Sequence, residues 1–174
     1  FLIMNDGSTD NTIEILEKLK EKDERIKIFE NKTNLGLTKS LNILSKFSTG
    51  EYIARQDADD ISYSLRLEKQ LEYMELNNLH ACTTYAKSLQ SNQILHSRTN
   101  LIPLRILLKF KNPFIHGSML INKSVFDDLG KYNEKYYYAQ DYKLFTDMFM
   151  SKYRVKILKK VYYELNQENN ISTN

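Results

Sequence analysis

The sequence predicts an α/β fold built on a mostly parallel central sheet. Three observations carry that prediction. Short apolar runs end in polar turns, as in FLIMND (1–6) and EYIARQD (51–57), the look of buried strands in a layered α/β domain. Stretches with helical spacing separate them. The order strand, helix, strand, helix, strand over the first 57 residues is the one that right-handed crossovers build into parallel sheets.

The elements follow in order. FLIMND is the first strand. GSTDN turns the chain into a helix in which Ile13, Leu16 and Leu19 repeat at helical spacing; Asn11 is placed to cap it, with Glu14 three residues on as capping-box partner. RIKIFEN (25–31) alternates as a second strand. KTNLGL is a loop, TKSLNILSKFSTG a helix closed by Gly50, and EYIARQD the third strand. SLRLEKQLEYMELN (64–77) reads as an amphipathic helix, and LHACTTYAKSLQ as a strand leading to a turn near Ser91 and Asn92. PLRILLKF is a short basic, apolar helix after Pro103, and FIHGSMLIN (114–122) a strand. KSVFDDLG is a short helix ended by Gly130, YAQDYKLFTDMFMSK a longer one, and YRVKILKKVYYEL the last strand region. One domain over residues 1–163 and a polar, Asn-rich tail over 164–174 complete the organisation, the tail frayed.

Composition bounds the function. The chain has 174 residues, 41% of them hydrophobic and 27% charged, and a formal charge of +3. That suits a soluble globular domain and is too balanced to favour nucleic acid as a partner. Cys82 is the single cysteine, so no internal disulfide forms and a reducing, cytoplasmic setting is the natural one. No apolar run approaches the roughly 20 residues of a membrane span. The basic helix at 104–111 reads as core-facing with Arg105 and Lys109 solvated; contact with a membrane surface is the alternative.

The chemistry concentrates in IARQDADDIS (53–62), where Asp57, Asp59 and Asp60 follow an apolar run. Like charges that close need a cation. On an extended backbone, residues i and i+2 point the same way, so Asp57 and Asp59 would aim at one point with Asp60 turned aside. Two carboxylates at a strand end suit Mg²⁺ or Mn²⁺ with positions left for phosphate oxygens; a solvated acidic loop is the plain alternative. A calcium loop counted from Asp57 fails at Ile61 and Ser62. NDGSTD (5–10) adds an acid, a glycine and hydroxyls at a strand-to-helix turn, where backbone N–H groups favour a polar or anionic ligand. Asp6 and Asp57 both close predicted parallel strands, and ligands bind beyond such ends, so the two acidic turns are expected to face one crevice. Arg55 and Arg66 either approach phosphates or pair with the neighbouring acids.

FLIMNDGSTDNT, ENKTNLGLTKSLN, GEYIARQDADD, RLEKQLEYM, NPFIHGSMLINKSVFDDLGKYNE and YAQDYKLF occur in this order, and the ordered set resembles the family 2 glycosyltransferases of the GT-A fold to about residue 163. The resemblance implies inverting transfer of a sugar from a nucleotide-diphosphate sugar donor to a glycan or lipid-linked acceptor hydroxyl, in polysaccharide or glycan synthesis. It implies that Asp6 contacts the donor's base or ribose. Asp57 would lie near the ribose and metal, Asp59 would bind Mn²⁺ or Mg²⁺ directly, and Asp60 would touch the donor sugar. Asp141 matches the base of the family's Glu-Asp motif, with Gln140 where the family has Glu. For His116, donor or acceptor contact stands beside a satisfied core histidine. The run Tyr136–Tyr138 either stacks on a sugar ring or packs.

The resemblance also implies an apolar strand and helix ahead of Phe1, the strand lying between FLIMND and EYIARQD in the sheet. Without it these two strands would close on each other or leave bare edges, and the chain as given would not turn over donor. A catalytically silent nucleotide- or sugar-binding module on the same fold is the rival reading, and a purely structural α/β domain a third. A cytoplasmic place, alternatively the inner face of a membrane, follows from the family only.

Overall fold

The computed structural model describes residues 1–95 and 102–168. The end of the expected tail, 169–174, lies outside the described residues. The chain forms two compact units. The smaller is Phe1–Gly50 with Gly130–Leu144; the larger is Glu51–Leu129 with the chain from Phe145 onward.

In the smaller unit β1 (Leu2–Asn5) pairs in parallel with β2 (Lys27–Glu30), joined by α1 (Thr12–Lys22). Glu14 in the first turn of α1 and Lys20 and Lys22 in its last complement the helix dipole. The cap is not the expected one. Asn11 sits at the capping position with φ −77° and ψ 15° and makes no side-chain bond there; outside the extended region its amide does not reach the turn. Asp10 Oδ1 instead accepts from Thr12 N at 3.1 Å. α2 (Leu37–Ser45) starts from Gly36 at φ +85°. It stops well short of Gly50, because Ser45 and Ser48 hydroxyls donate back to Asn42 O (2.8 Å) and Ser45 O (2.6 Å) and compete with helical pairing. The segment 130–138 is tied to α2 by Asn42, whose Nδ2 donates to Tyr132 O at 2.8 Å while its Oδ1 accepts from Tyr132 N at 3.1 Å. α6 (Gln140–Met150) begins after Ala139 at φ +58°.

The larger unit holds β3 (Tyr52–Ala54), β4 (Ile61–Ser62), α3 (Arg66–Leu76), β5 (Ala81–Ser88) and β6 (Ile94–Leu95). It continues through α4 (Leu104–Leu107), β7 (Leu120–Asn122) and α5 (Lys123–Asp128) to β8 (Val155–Leu165). Its sheet runs β3-β7-β5-β8-β4, with β6 paired to β5 as a hairpin through Asn92 at φ +61°. β5 is buried along nearly its whole length because it is flanked by β7 and β8. On one side of the sheet Met74, Leu79, Cys82 and Leu120 form a core against Tyr52, Leu71 and Tyr73; elsewhere Ala86, Ile115 and Tyr163 form a second cluster. Gln70 is fully buried on α3, its Nε2 donating to Ser118 O at 2.8 Å and to Cys82 O at 3.3 Å. Burial pushes the Cys82 thiol up to about 12.

The α/β class stands, but the larger sheet is mixed. Among its pairings β5 with β8 alone is parallel; β3–β7, β5–β7, β5–β6 and β4–β8 are antiparallel. An apolar run records burial on both faces and carries no direction for its neighbours. The expected strand 114–122 is also shortened. His116–Ser118 is a single 3-10 turn and only Leu120–Asn122 is extended. Among the described residues β1 pairs with β2 alone and β3 with β7 alone, so each keeps an open edge.

Candidate donor and catalytic site

In the smaller unit Asp6 organises the turn after β2. Its Oδ1 accepts from Asn31 Nδ2 (2.8 Å) and Leu35 N (2.9 Å), and its Oδ2 from Gly36 N (2.9 Å). Partial burial opposes ionisation, but these donors together hold its carboxyl below the ordinary carboxylate value. Gly7 makes the approach possible. It sits at φ +74°, and a Cβ there would lie 2.8 Å from Asn34 N. Asp6 is thus largely spent on shaping the 33–36 turn, a role the sequence did not disclose. Asp141 lies in the first turn of α6, half-buried, and Gln140 beside it is buried. Tyr137 and Tyr138 are exposed, at 70% and 64%, in an edge-to-face pair with centroids 4.9 Å apart. They are therefore not core.

A carboxylate with a depressed folded value adds stability above the unfolded value and loses it as pH falls through the folded one. Asp6→Asn is therefore expected to cost about 1–2 kcal/mol near neutrality, since the amide sets N–H donors against backbone N–H groups. The difference from wild type should shrink below about pH 4. Urea titrations of both proteins at several pH values measure it, and a pH-independent gap would contradict the carboxylate's role.

In the larger unit the chain leaves β3 at Ala54, and residues 58–60 turn rather than extend. Asp57 and Asp59 consequently do not lie on one extended face, contrary to the expectation from their spacing. Gln56 sets this turn, its Nε2 donating to Asp57 O (2.8 Å) and Asp60 O (3.0 Å). Arg55 supplies one cation to the cluster, paired with Asp57 Oδ1. Asp57 N donates to Tyr163 Oη at 3.2 Å. Asp60 Oδ1 accepts from Asn166 N at 2.7 Å. Burial raises the Asp60 carboxyl, with bonds from Asn166 and Tyr163 opposing and the charges of Asp57 and Asp59 adding. Asp60 is thus tied to the end of β8. Asp59 is exposed and makes no hydrogen bond or ion pair among the described residues.

Arg66 makes no ion pair with the acids. It is 3% exposed, donates through Nη1 to Gly117 O and through Nη2 to Arg55 O (both 3.0 Å), and lies 5.3 Å from the Tyr163 ring centroid. It is the floor of the site. Tyr163, wholly buried, joins the 57–60 turn, Gly117 and Arg66; its phenol is pushed far up, chiefly by burial. Nothing in the sequence marked it beyond its place in the last strand region. His116 is half-buried in the 3-10 turn, not on a strand. Burial of the ring, with Arg55 adding, lowers it to about 3, so it is neutral at ordinary pH.

No set of three or more His, Cys, Asp or Glu among the described residues is placed to hold a metal unaided. A hard cation of the Mg²⁺ or Mn²⁺ kind takes one or two carboxylates and completes its shell with water and phosphate. Asp59 is uncommitted. Arg55 Nε and Gln56 Oε1 are buried without partners among the described residues, polar atoms that a bound polar ligand could satisfy.

Comparisons with known proteins agree with this architecture. Residues 1–130 match the model of glycosyl transferase family 2. An uncharacterized glycosyltransferase of Haemophilus influenzae is 32% identical over 166 residues, covering 84% of this chain and 50% of that protein. The putative glycosyltransferase EpsE of Bacillus subtilis is 33% identical over 138 residues, covering 75% and 48%. The chain thus spans about half the length of these relatives. Among solved structures, S. aureus TarS 1–349 in complex with UDP-GlcNAc superposes with a TM-score of 0.79 at 20% identity, over 97% of this chain and 50% of that one. The mannosyltransferase PcManGT of Pyrobaculum calidifontis, in complex with GDP-Man and Mn²⁺, gives 0.74 at 18% identity, over 94% and 46%. These likenesses show the GT-A fold, and the family match over most of the chain settles its kinship: the chain belongs to glycosyl transferase family 2.

Proposed function

We propose that the chain carries the donor-binding and catalytic residues of an inverting glycosyltransferase that moves a sugar from a nucleotide-diphosphate sugar to an acceptor hydroxyl. The observation that carries this reading is the division of labour among the three clustered acids. Arg55 holds Asp57, Asn166 holds Asp60, and Asp59 alone is left exposed and unpaired among the described residues. The solved structures of like fold named above hold UDP-GlcNAc in one case and GDP-Man with Mn²⁺ in the other, which supports a nucleotide-sugar donor.

Asp59 would hold Mn²⁺ or Mg²⁺, with Asp57 contributing alongside Arg55. The cation's chemistry is to meet the negative charge that grows on a departing diphosphate. Asp57 borders the donor ribose, and Asp6 contacts the base or ribose while fixing the 33–36 turn. Asp60 and neutral His116 line the donor sugar. Asp141 takes the acceptor proton as the new O–C1 bond forms and the C1–O bond to diphosphate breaks; the nucleotide leaves with that electron pair. A single displacement of this kind inverts the anomeric carbon. The acceptor is a glycan or lipid-linked hydroxyl, the product a surface polysaccharide or related glycan, and the place of action the cytoplasm, with the inner face of a membrane as the alternative.

Calorimetry with UDP and GDP, with and without Mn²⁺, tests the donor half. Asp59→Asn is expected to remove most of the Mn²⁺-dependent gain in affinity, roughly tenfold or more, as expected for one charge-assisted ligand of a bound ion. Equal affinities for wild type and variant in Mn²⁺ would end this assignment. Nucleotide binding without any transfer by the full-length protein would favour a silent binding module.

A further inference from the structure

α4 faces the core with Arg105 and Lys109 solvated, as expected, but it also turns apolar side chains to solvent. Leu107 and Leu108 are buried, at 4% and 7%, whereas Ile106 is 49% and Phe110 80% exposed. Ile106 and Phe110 are four residues apart along a continuous set of helical turns, with Phe110 N donating to Leu107 O and Lys111 N to Leu107 O, so their side chains share one outward face. Ile102, just ahead of Pro103, is exposed as well, at 47%. Arg105, Lys109 and Lys111 are exposed among them. No Asp or Glu occurs anywhere between Glu75 and Asp127.

We propose that this face, Ile102, Ile106 and Phe110 with Arg105, Lys109 and Lys111 around them, docks on an anionic lipid bilayer. Apolar side chains ringed by cations suit the boundary between headgroups and acyl chains, where the rings and alkyl groups sink and the charges stay with phosphates. The turn is already folded and pinned from behind by Leu107 and Leu108, and the nearby Phe114 stacks on Phe145 with centroids 4.2 Å apart. Docking therefore carries no cost of forming a helix. A second copy of the chain fits less well, since a two-fold contact through this face would set its cations against each other. The inference rests on the reading that places the protein at a membrane, and not on its transfer chemistry.

Co-sedimentation of the 174-residue chain with vesicles tests it. Binding is expected to phosphatidylglycerol mixed into phosphatidylcholine, with little to phosphatidylcholine alone, and to weaken as salt rises. Replacing Arg105, Lys109 and Lys111 together with Gln should weaken it about a hundredfold, near fivefold per charge. Phe110→Ser should weaken it about tenfold, including at high salt. These are surface positions, so unchanged melting temperatures should accompany both losses. No binding to either vesicle, equal binding to both, or variants that bind like wild type would overturn the proposal. So would a concentration-dependent dimer abolished by Phe110→Ser, which would give this face to a second copy. Vesicle binding together with a full-length protein that fails to bind nucleotide diphosphates would keep the docking face and overturn the transferase reading instead.

Discussion

Asp141→Asn is expected to slow sugar transfer by the full-length protein by about a hundredfold to ten-thousandfold, the span a positioned general base contributes, with donor affinity nearly unchanged. The amide has the shape of the carboxylate but cannot take a proton at neutral pH, so the acceptor hydroxyl would have to attack while still protonated. The competing account is structural. Asp141 lies in the first turn of α6, where a negative charge complements the helix dipole for about 0.3–1 kcal/mol. The two accounts separate cleanly, because a dipole role predicts a slightly lower melting temperature with turnover preserved. Steady-state rates beside thermal unfolding decide it, and full turnover by the variant would remove Asp141 from the chemistry.

Gly117→Ala is expected to destabilise the larger unit by about 1–3 kcal/mol, the usual cost of forcing extra volume into a filled site. For a chain of this size that lowers Tm by roughly 2–10 °C. The added methyl would lie 2.7 Å from Asp57 Oδ2 and closer still to Tyr163 Oη. Tyr163 has no room to yield, being fully buried under Arg66, so the 57–60 turn must move. Nucleotide affinity in Mn²⁺ should therefore fall along with Tm. The partner variant Tyr163→Phe removes the hydroxyl from the crowded point and should recover part of the loss in the double mutant. A Gly117→Ala protein with wild-type melting and affinity would show that the 57–60 turn is not braced there.

The local pattern of this sequence was highly legible where one helix face or one strand is buried. α3 buries Arg66, Gln70 and Met74 at four-residue spacing, and the expected helix covers it. The same holds for β5; β1 and β2 also lie where strands were expected, although β1 buries only Asn5 and β2 none of its residues. Strand direction was not legible, since neither the short apolar run of β7 nor the mixed pattern of β8 depends on which way its neighbours run. The acid cluster declared itself by charge density, and of the two roles open to Arg55, phosphate contact or pairing with a neighbouring acid, the second is seen. Tyr163 did not, because its role depends on residues about a hundred positions away in the chain and on the absence of a Cβ at Gly117. Extended spacing misled for Asp57 and Asp59, as Gln56 folds that segment into a turn. Asp6 was expected at a ligand; that its carboxylate also holds the 33–36 backbone leaves no mark on the sequence around it.

Cys82 carries a last consequence. It is the sole thiol of the chain, fully enclosed beside Gln70, with its acidity suppressed to about 12. Oxidants and electrophiles react with thiolates in reach of solvent, so this sulfur is chemically silent for as long as α3 stays seated on β5. The fold is consequently held without a covalent staple and blind to redox poise, and copies of it can be bridged through sulfur only after that helix has lifted away.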